Sequence, residues 1–172
     1  EVSAQALTQL RVDGLLFDVA GFTNLSHDHF DDYDGFDDYL SAKAKLFTKE
    51  KSKKAVVCLD TVYGKRIAER SEVPVTTISM NPEDGAHWNV RILAELPGKT
   101  EFELTGPQGQ QLVSSVPILG AHMASNAGLA IVMAATAGYD FKDIAKALAS
   151  GIDAYLPGRT ELVSPEGAPF VY

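Results

Sequence analysis

This chain is poor in cysteine, short of positive charge and without a long hydrophobic run, and each shortage removes a class of protein. Its single cysteine, Cys58, excludes a disulfide framework. Lying inside the apolar run AVVCLD, it reads as a core thiol in a reducing compartment. Lys and Arg number 15 against 23 Asp and Glu, a formal net charge of -8. A surface that binds a nucleic-acid backbone needs clustered cations to release counterions, so no nucleic-acid partner is expected. The one basic run, KEKSKK at 49–54, reads as a solvated loop. The longest run of small apolar residues, 127–137, falls well short of the roughly 20 residues that span a bilayer. No membrane partner and no signal peptide are therefore expected, and the reading is a cytoplasmic protein.

Familiar catalytic spacings are missing too. GPQGQ at 106–110 is a hairpin turn, not a strand-to-helix glycine loop followed by Lys and Ser or Thr. No Gly-x-Ser-x-Gly elbow and no zinc spacing of His or Cys occurs.

What is present fits one domain: 172 residues with 45% hydrophobic content can bury a single good core. The chain opens at Glu1 without Met and stops at GAPFVY, which reads as the start of a strand; the expectation is a piece of a larger chain, truncated at both ends. Residues 1–10 suit a short helix, and 14–25 form a near-continuous apolar run expected of a buried strand and its exit loop. Helix 36–49, strand 55–60, helix 61–71 and strand 73–79 follow, the alternation of an α/β layer with a mainly parallel sheet flanked by helices. From residue 87 the rhythm changes to three strand-like runs split by Pro97-Gly98 and GPQGQ, an antiparallel meander expected to form a small sheet of its own. Helices at 121–138 and 141–150 come next, then a last strand near 160–163.

Three constellations could carry chemistry. On a helical wheel Phe36, Tyr39, Leu40, Lys43, Leu46 and Phe47 share one stripe, which puts Lys43 in the middle of an apolar face and Lys45 toward solvent. Burial favours a neutral amine; a Lys43 that snorkels to the rim or pairs with a nearby aspartate is the alternative. Just upstream, SHDHFDDYD gathers His27, Asp28, His29, Asp31, Asp32 and Asp34 after a buried strand. These are candidate ligands for a divalent cation or ordinary caps and solvated turns; carboxyl ends of strands are where open α/β sheets collect ligands. Asn126 stands in a helix rich in small apolar residues and expected to be largely buried, so it needs a backbone partner or a polar ligand. Arg159 offers a donor fork for phosphate or sugar hydroxyls, or for a surface ion pair.

EVSAQAL (1–7), TNLSHDH (23–29), YLSAKAKLF (39–47), GAHMASN (120–126) and LPGRTE (156–161) resemble, in order and approximate spacing, the Mur ligases of peptidoglycan synthesis, and among them the member that adds the third peptide residue. The resemblance covers most of the chain, 1–172. It implies part of the central ATP-binding domain, lacking the phosphate-binding loop and the C-terminal domain. The implied reaction is ATP-dependent amide ligation of an amino acid to UDP-MurNAc-L-Ala-D-Glu through an acyl phosphate. By the same resemblance Glu1 and His29 are Mg2+ ligands, and Lys43 is a carbamylated lysine whose new oxygens help bind a second Mg2+. Ser3, Gln9 and Arg11 fall where the family contacts the UDP-sugar peptide, Asn126 on an adenine-contacting asparagine, and Arg159 on an arginine near the ATP ribose or phosphates. The piece alone is expected to be inactive, and a monomer or a dimer paired through a sheet edge opened by excision.

Four positions depart from the family words. Ala4 and Gln5 replace Ser and His, His27 replaces Arg, and Met123 replaces the first asparagine of the adenine pair. These leave room for a divergent paralogue acting on another carboxylate. Two readings of other classes stand beside the ligase one: a metal-dependent phosphohydrolase built on DHFDD, and a non-catalytic binding module in which the Asp cluster is surface and Lys43 snorkels.

Overall fold

The computed structural model describes residues 1–26 and 33–153. One six-stranded sheet runs through it in the order β1(Ala20–Phe22), β2(Ala55–Cys58), β3(Val75–Ser79), β4(Trp88–Leu96), β5(Lys99–Thr105), β6(Gln111–Val116). The first four strands are parallel, and β4, β5 and β6 are antiparallel. Every residue of β2 is buried, because helices cover both of its faces. Ala55 and Val57 meet the cluster built by α1(Ala4–Thr8), α2(Phe36–Ala44) and α3(Val62–Arg70). Val56 and Cys58 meet α4(Ala121–Ala137), which also packs under β4, β5 and β6; α5(Phe141–Leu148) closes the end of that layer. The mixed α/β architecture read from the alternation is thus the one observed.

The meander does not form a separate sheet. Trp88 and Asn89 pair in parallel with Ile78 and Ser79, so β4 joins the end of β3 and continues beyond it. A full parallel crossover takes a dozen residues or more. Here the stagger lets a single turn of 3₁₀-helix, Pro82–Asp84, make the connection.

The apolar run at 14–25 yields only three residues of regular strand. Phe17 bridges Ser52, the chain bends at Asp18, and pairing resumes at Ala20. Leu15 and Leu16 lie ahead of the paired segment and are each 52% exposed, so the hydrophobic run overstated the strand. Glycine permits two close approaches in this core. A Cβ at Gly21 would fall 2.5 Å from Met133 Sδ, and one at Gly64 would fall inside the Cys58 carbonyl. Gly64 thereby lets the first turn of α3 sit directly against the end of β2.

The strand expected near 160–163 lies outside the described residues. Among the described residues no helix is long and apolar enough to cross a membrane.

Candidate active site

Ser3 opens the site. Its Oγ caps α1 by accepting from the Ala6 N–H at 3.1 Å, which fixes Glu1 and Val2 just ahead of the helix. β1 then delivers Thr23, Asn24 and Ser26 beyond its carboxyl end, and α2 supplies Tyr39 and Lys43 from its sheet-facing side. These groups line one cavity of about 680 Å³, together with Tyr33 and Gly21.

α2 ends at Ala44, short of the helix expected over 36–49, and a turn of 3₁₀-helix, Lys45–Phe47, carries the apolar stripe on. Tyr39, Leu40, Leu46 and Phe47 are buried, Lys43 is half-buried among them and Lys45 is exposed. The Lys43 ammonium nitrogen lies 5.0 Å from the centre of the Tyr39 ring, within cation–π range. Burial pushes the Lys43 amine below the ordinary lysine range, and the Glu1 carboxylate across the cavity pulls it partly back. Lys43 therefore neither snorkels clear of the core nor forms a direct ion pair among the described residues.

Tyr33 stacks on Tyr39 with ring centres 4.8 Å apart and planes 21° off parallel. Its hydroxyl is buried without a hydrogen-bond partner among the described residues, an uncommon state for a phenol. The cavity thus holds an unsatisfied hydroxyl, several oxygen-bearing side chains, one carboxylate and an amine biased toward its neutral form. Oxygen donors suit a hard cation such as Mg2+. Among the described residues no three His, Cys, Asp or Glu side chains are grouped to hold a metal, so Glu1 is the single acidic donor this cavity shows. His29 and the DHFDD cluster lie outside the described residues.

The remaining sequence candidates separate. Gln9 and Arg11 are exposed on the exit from α1, where the Arg11 N–H donates to the Ala6 carbonyl at 2.8 Å, and neither lines the cavity. Asn126 is exposed, contrary to a largely buried α4, because only the sheet-facing half of that helix is covered. Its amide borders a second cavity of about 430 Å³, walled by Met123, Ile118, Ile144, Leu148 and Ile152. Arg159 lies outside the described residues.

Sequence reading missed a polar cluster at the carboxyl ends of β2 and β3. One carboxyl oxygen of Asp60 accepts from Ser79 Oγ and from the Met80 N–H, both at 2.7 Å, and the other accepts from Ser125 Oγ at 3.3 Å. Ser79 Oγ is also 2.7 Å from Asp84, which pairs with Lys65. The signal was available, since Asp60 directly follows a fully apolar strand, the same position that drew attention to the loop after β1.

Comparison with known proteins bears on the family and the fold. Residues 1–134 match the model of the Mur ligase middle domain. A UDP-N-acetylmuramyl-tripeptide synthetase of Leifsonia xyli subsp. xyli is 52% identical over 174 residues, covering 100% of this chain and 34% of the relative. A UDP-N-acetylmuramoyl-L-alanyl-D-glutamate--2,6-diaminopimelate ligase of Streptomyces coelicolor is 40% identical, covering 99% of this chain and 33% of the relative. A solved structure of a ligase of that second name superposes with a TM-score of 0.78 at 27% identity, over 95% of this chain and 34% of the other. The chain spans about a third of the length of the relatives it matches. With the family model covering most of its residues and the fold agreeing with a solved relative, the chain belongs to the Mur ligase family, as part of its middle domain.

Proposed function

We propose that the protein carrying this chain is an ATP-dependent ligase that joins an amino acid to the D-Glu carboxyl of UDP-MurNAc-L-Ala-D-Glu in peptidoglycan synthesis. The observation that carries the reading is the single cavity shared by Glu1 and Lys43, with the lysine amine biased toward neutrality by burial. Only an uncharged amine has the lone pair that attacks carbon dioxide. The N–C bond forms as one C=O π bond of carbon dioxide opens onto its oxygen, the nitrogen releases one proton to water, and the neutral amine becomes an anionic oxygen donor suited to a hard cation.

In this reading Glu1, His29 and carbamylated Lys43 hold Mg2+; Ser3 orients the UDP-sugar peptide from inside the cavity, while Gln9 and Arg11, exposed outside it, are given to the same substrate on the family resemblance alone. Asn126 and Arg159 are given to ATP, the first to adenine and the second to the ribose or phosphates. Bound Mg2+ supplies charge neutralisation for phosphoryl transfer from ATP to the substrate carboxylate. ADP leaves as the acyl phosphate forms; the incoming amine then attacks its carbonyl carbon, giving the amide, phosphate and a proton. Ser3 supports its assigned role through geometry: it lines the cavity, and its Oγ accepts from the Ala6 N–H while retaining one donor proton.

The test is incorporation of labelled amino acid into UDP-MurNAc-L-Ala-D-Glu by the full-length parent. Lys43→Ala is expected to lose at least about two orders of magnitude in rate, as when one transition-state electrostatic contact is removed, and added short-chain carboxylic acids are expected to restore part of it. Unchanged rates in Lys43→Ala would refute the carbamate role. Ligation by the 172-residue chain alone would refute the need for the rest of the protein.

A further inference from the structure

α4 carries Asn126 but has no cap of its own. It begins at Gly120, which offers no side chain to its free N–H groups. Two contacts from the sheet hold its start instead. The Gly120 N–H donates to Thr100 Oγ at 2.9 Å, and Ser125 Oγ donates to Asp60 at 3.3 Å. Ser125 and Asn126 are consecutive in the helix, about 100° apart around its axis, so the first faces the sheet while the second faces the cavity walled by Met123, Ile118 and Ile144.

Asp60 is itself held from a second direction. Its other carboxyl oxygen accepts the Met80 N–H and shares the single Ser79 hydroxyl proton with Asp84, so the group joins the ends of β2 and β3 to α4. Cys58 Sγ lies 3.8 Å from Ser125 Oγ. A hydroxyl has one proton; directed toward Asp60, it leaves Ser125 an acceptor toward the Cys58 thiol, which also lies against Asp60.

We propose that Asp60 is a positioning residue that, through Ser125, fixes the rotation and height of the first turns of α4 and thereby sets how tightly Asn126 engages the nucleotide. The inference rests on the reading of Asn126 as a nucleotide contact. Asp60 touches neither substrate nor metal in it, and its effect falls on nucleotide affinity, not on the chemical step.

The experiment uses the full-length parent and measures ATP binding to the wild type first, then kcat, KM for ATP, KM for UDP-MurNAc-L-Ala-D-Glu and thermal midpoint for Asp60→Ala, Asp60→Asn and Ser125→Ala. Asp60→Ala is expected to raise KM for ATP about tenfold, the consequence of losing one charge-assisted hydrogen bond. Its kcat and its KM for the sugar substrate should stay within about twofold of the wild type, within the spread of an indirect effect. Asp60→Asn keeps the acceptor for Ser79 and Met80 and can donate to Ser125 Oγ, so it should recover most of the nucleotide affinity. Ser125→Ala should show the same selective rise, and it supplies the test should Asp60→Ala fail to fold. Equal damage in Asp60→Asn and Asp60→Ala would overturn the proposal, as would an unchanged KM for ATP in Ser125→Ala or a proportional loss in every parameter. A wild type that does not bind ATP at all would overturn the functional reading and this inference with it; ATP binding that the variants leave intact would overturn the inference alone.

Discussion

Lys43 holds its ammonium nitrogen 5.0 Å above the ring of Tyr39, and that ring stacks in turn on Tyr33. The ring face favours the charged amine, as does Glu1, while burial opposes it. Replacing Tyr39 by Leu removes one of the two groups that stabilise the charge. The Lys43 titration, followed by NMR of its Cε or by pH-dependent acylation of its Nζ, is expected to move further down. A titration that moves up would contradict the balance described.

The same lowered pKa links stability to pH. The folded state holds fewer protons on Lys43 than the unfolded chain between the lowered folded value and the ordinary value of about 10.4. Stability contributed by this group therefore rises as pH climbs through that window, and below it the cost of burying the charge is present in full. Lys43→Met, which keeps the packing and removes the charge, is expected to raise the thermal midpoint by a few degrees at neutral pH. The gain should shrink as pH approaches 10, measured by calorimetry at a series of pH values.

Burial pushes the Cys58 thiol up to about 11. The thiolate is the reactive form, so native protein at pH 7 to 8 should be close to inert toward thiol reagents. Modification is expected to follow unfolding, with the labelling rate increasing through the urea transition in step with circular dichroism. Rapid modification without denaturant would place Cys58 in a different environment.

Gly64 has no room for a side chain: a Cβ would lie 1.8 Å from the Cys58 carbonyl oxygen. Backbone cannot step aside as a flexible side chain can. Gly64→Ala should therefore destabilise by about 3 kcal/mol or more, the upper end of overpacking costs, seen in urea titration as a lower midpoint. An effect below about 1 kcal/mol, the ordinary range for surface changes and mild swaps, would mean that α3 can shift on the sheet.

Thr100 is fully buried, donates to the Ile118 carbonyl at 2.8 Å and accepts from the Gly120 N–H. Thr100→Val keeps the shape and leaves both backbone groups unmet, an expected loss of about 2 to 3 kcal/mol. Because Gly120 starts α4, amide exchange in residues 120–124 should accelerate more than in β2. Uniform acceleration would mean that Thr100 supports the whole fold equally.

Periodicity and composition were enough for most of the architecture. The apolar stripe of α2, with Lys43 inside it and Lys45 outside, follows from the helical repeat alone, and AVVC reads as a strand covered on both faces because no polar residue interrupts it. The short words EVSAQAL, TNLSHDH and GAHMASN identified the family, since each ties particular side chains to a fixed place in the chain. Local pattern could not decide pairing. Whether 88–96 starts a new sheet or extends the first depends on Trp88 meeting Ile78, a contact between strands that no spacing within either one encodes. Exposure of Asn126, Leu15 and Leu16 was likewise settled by which neighbours cover each face. The convergence of Asp60, Ser79 and Ser125 has the same origin. These residues come from three elements up to 65 positions apart, and their hydrogen bonds exist only once the sheet and α4 have packed.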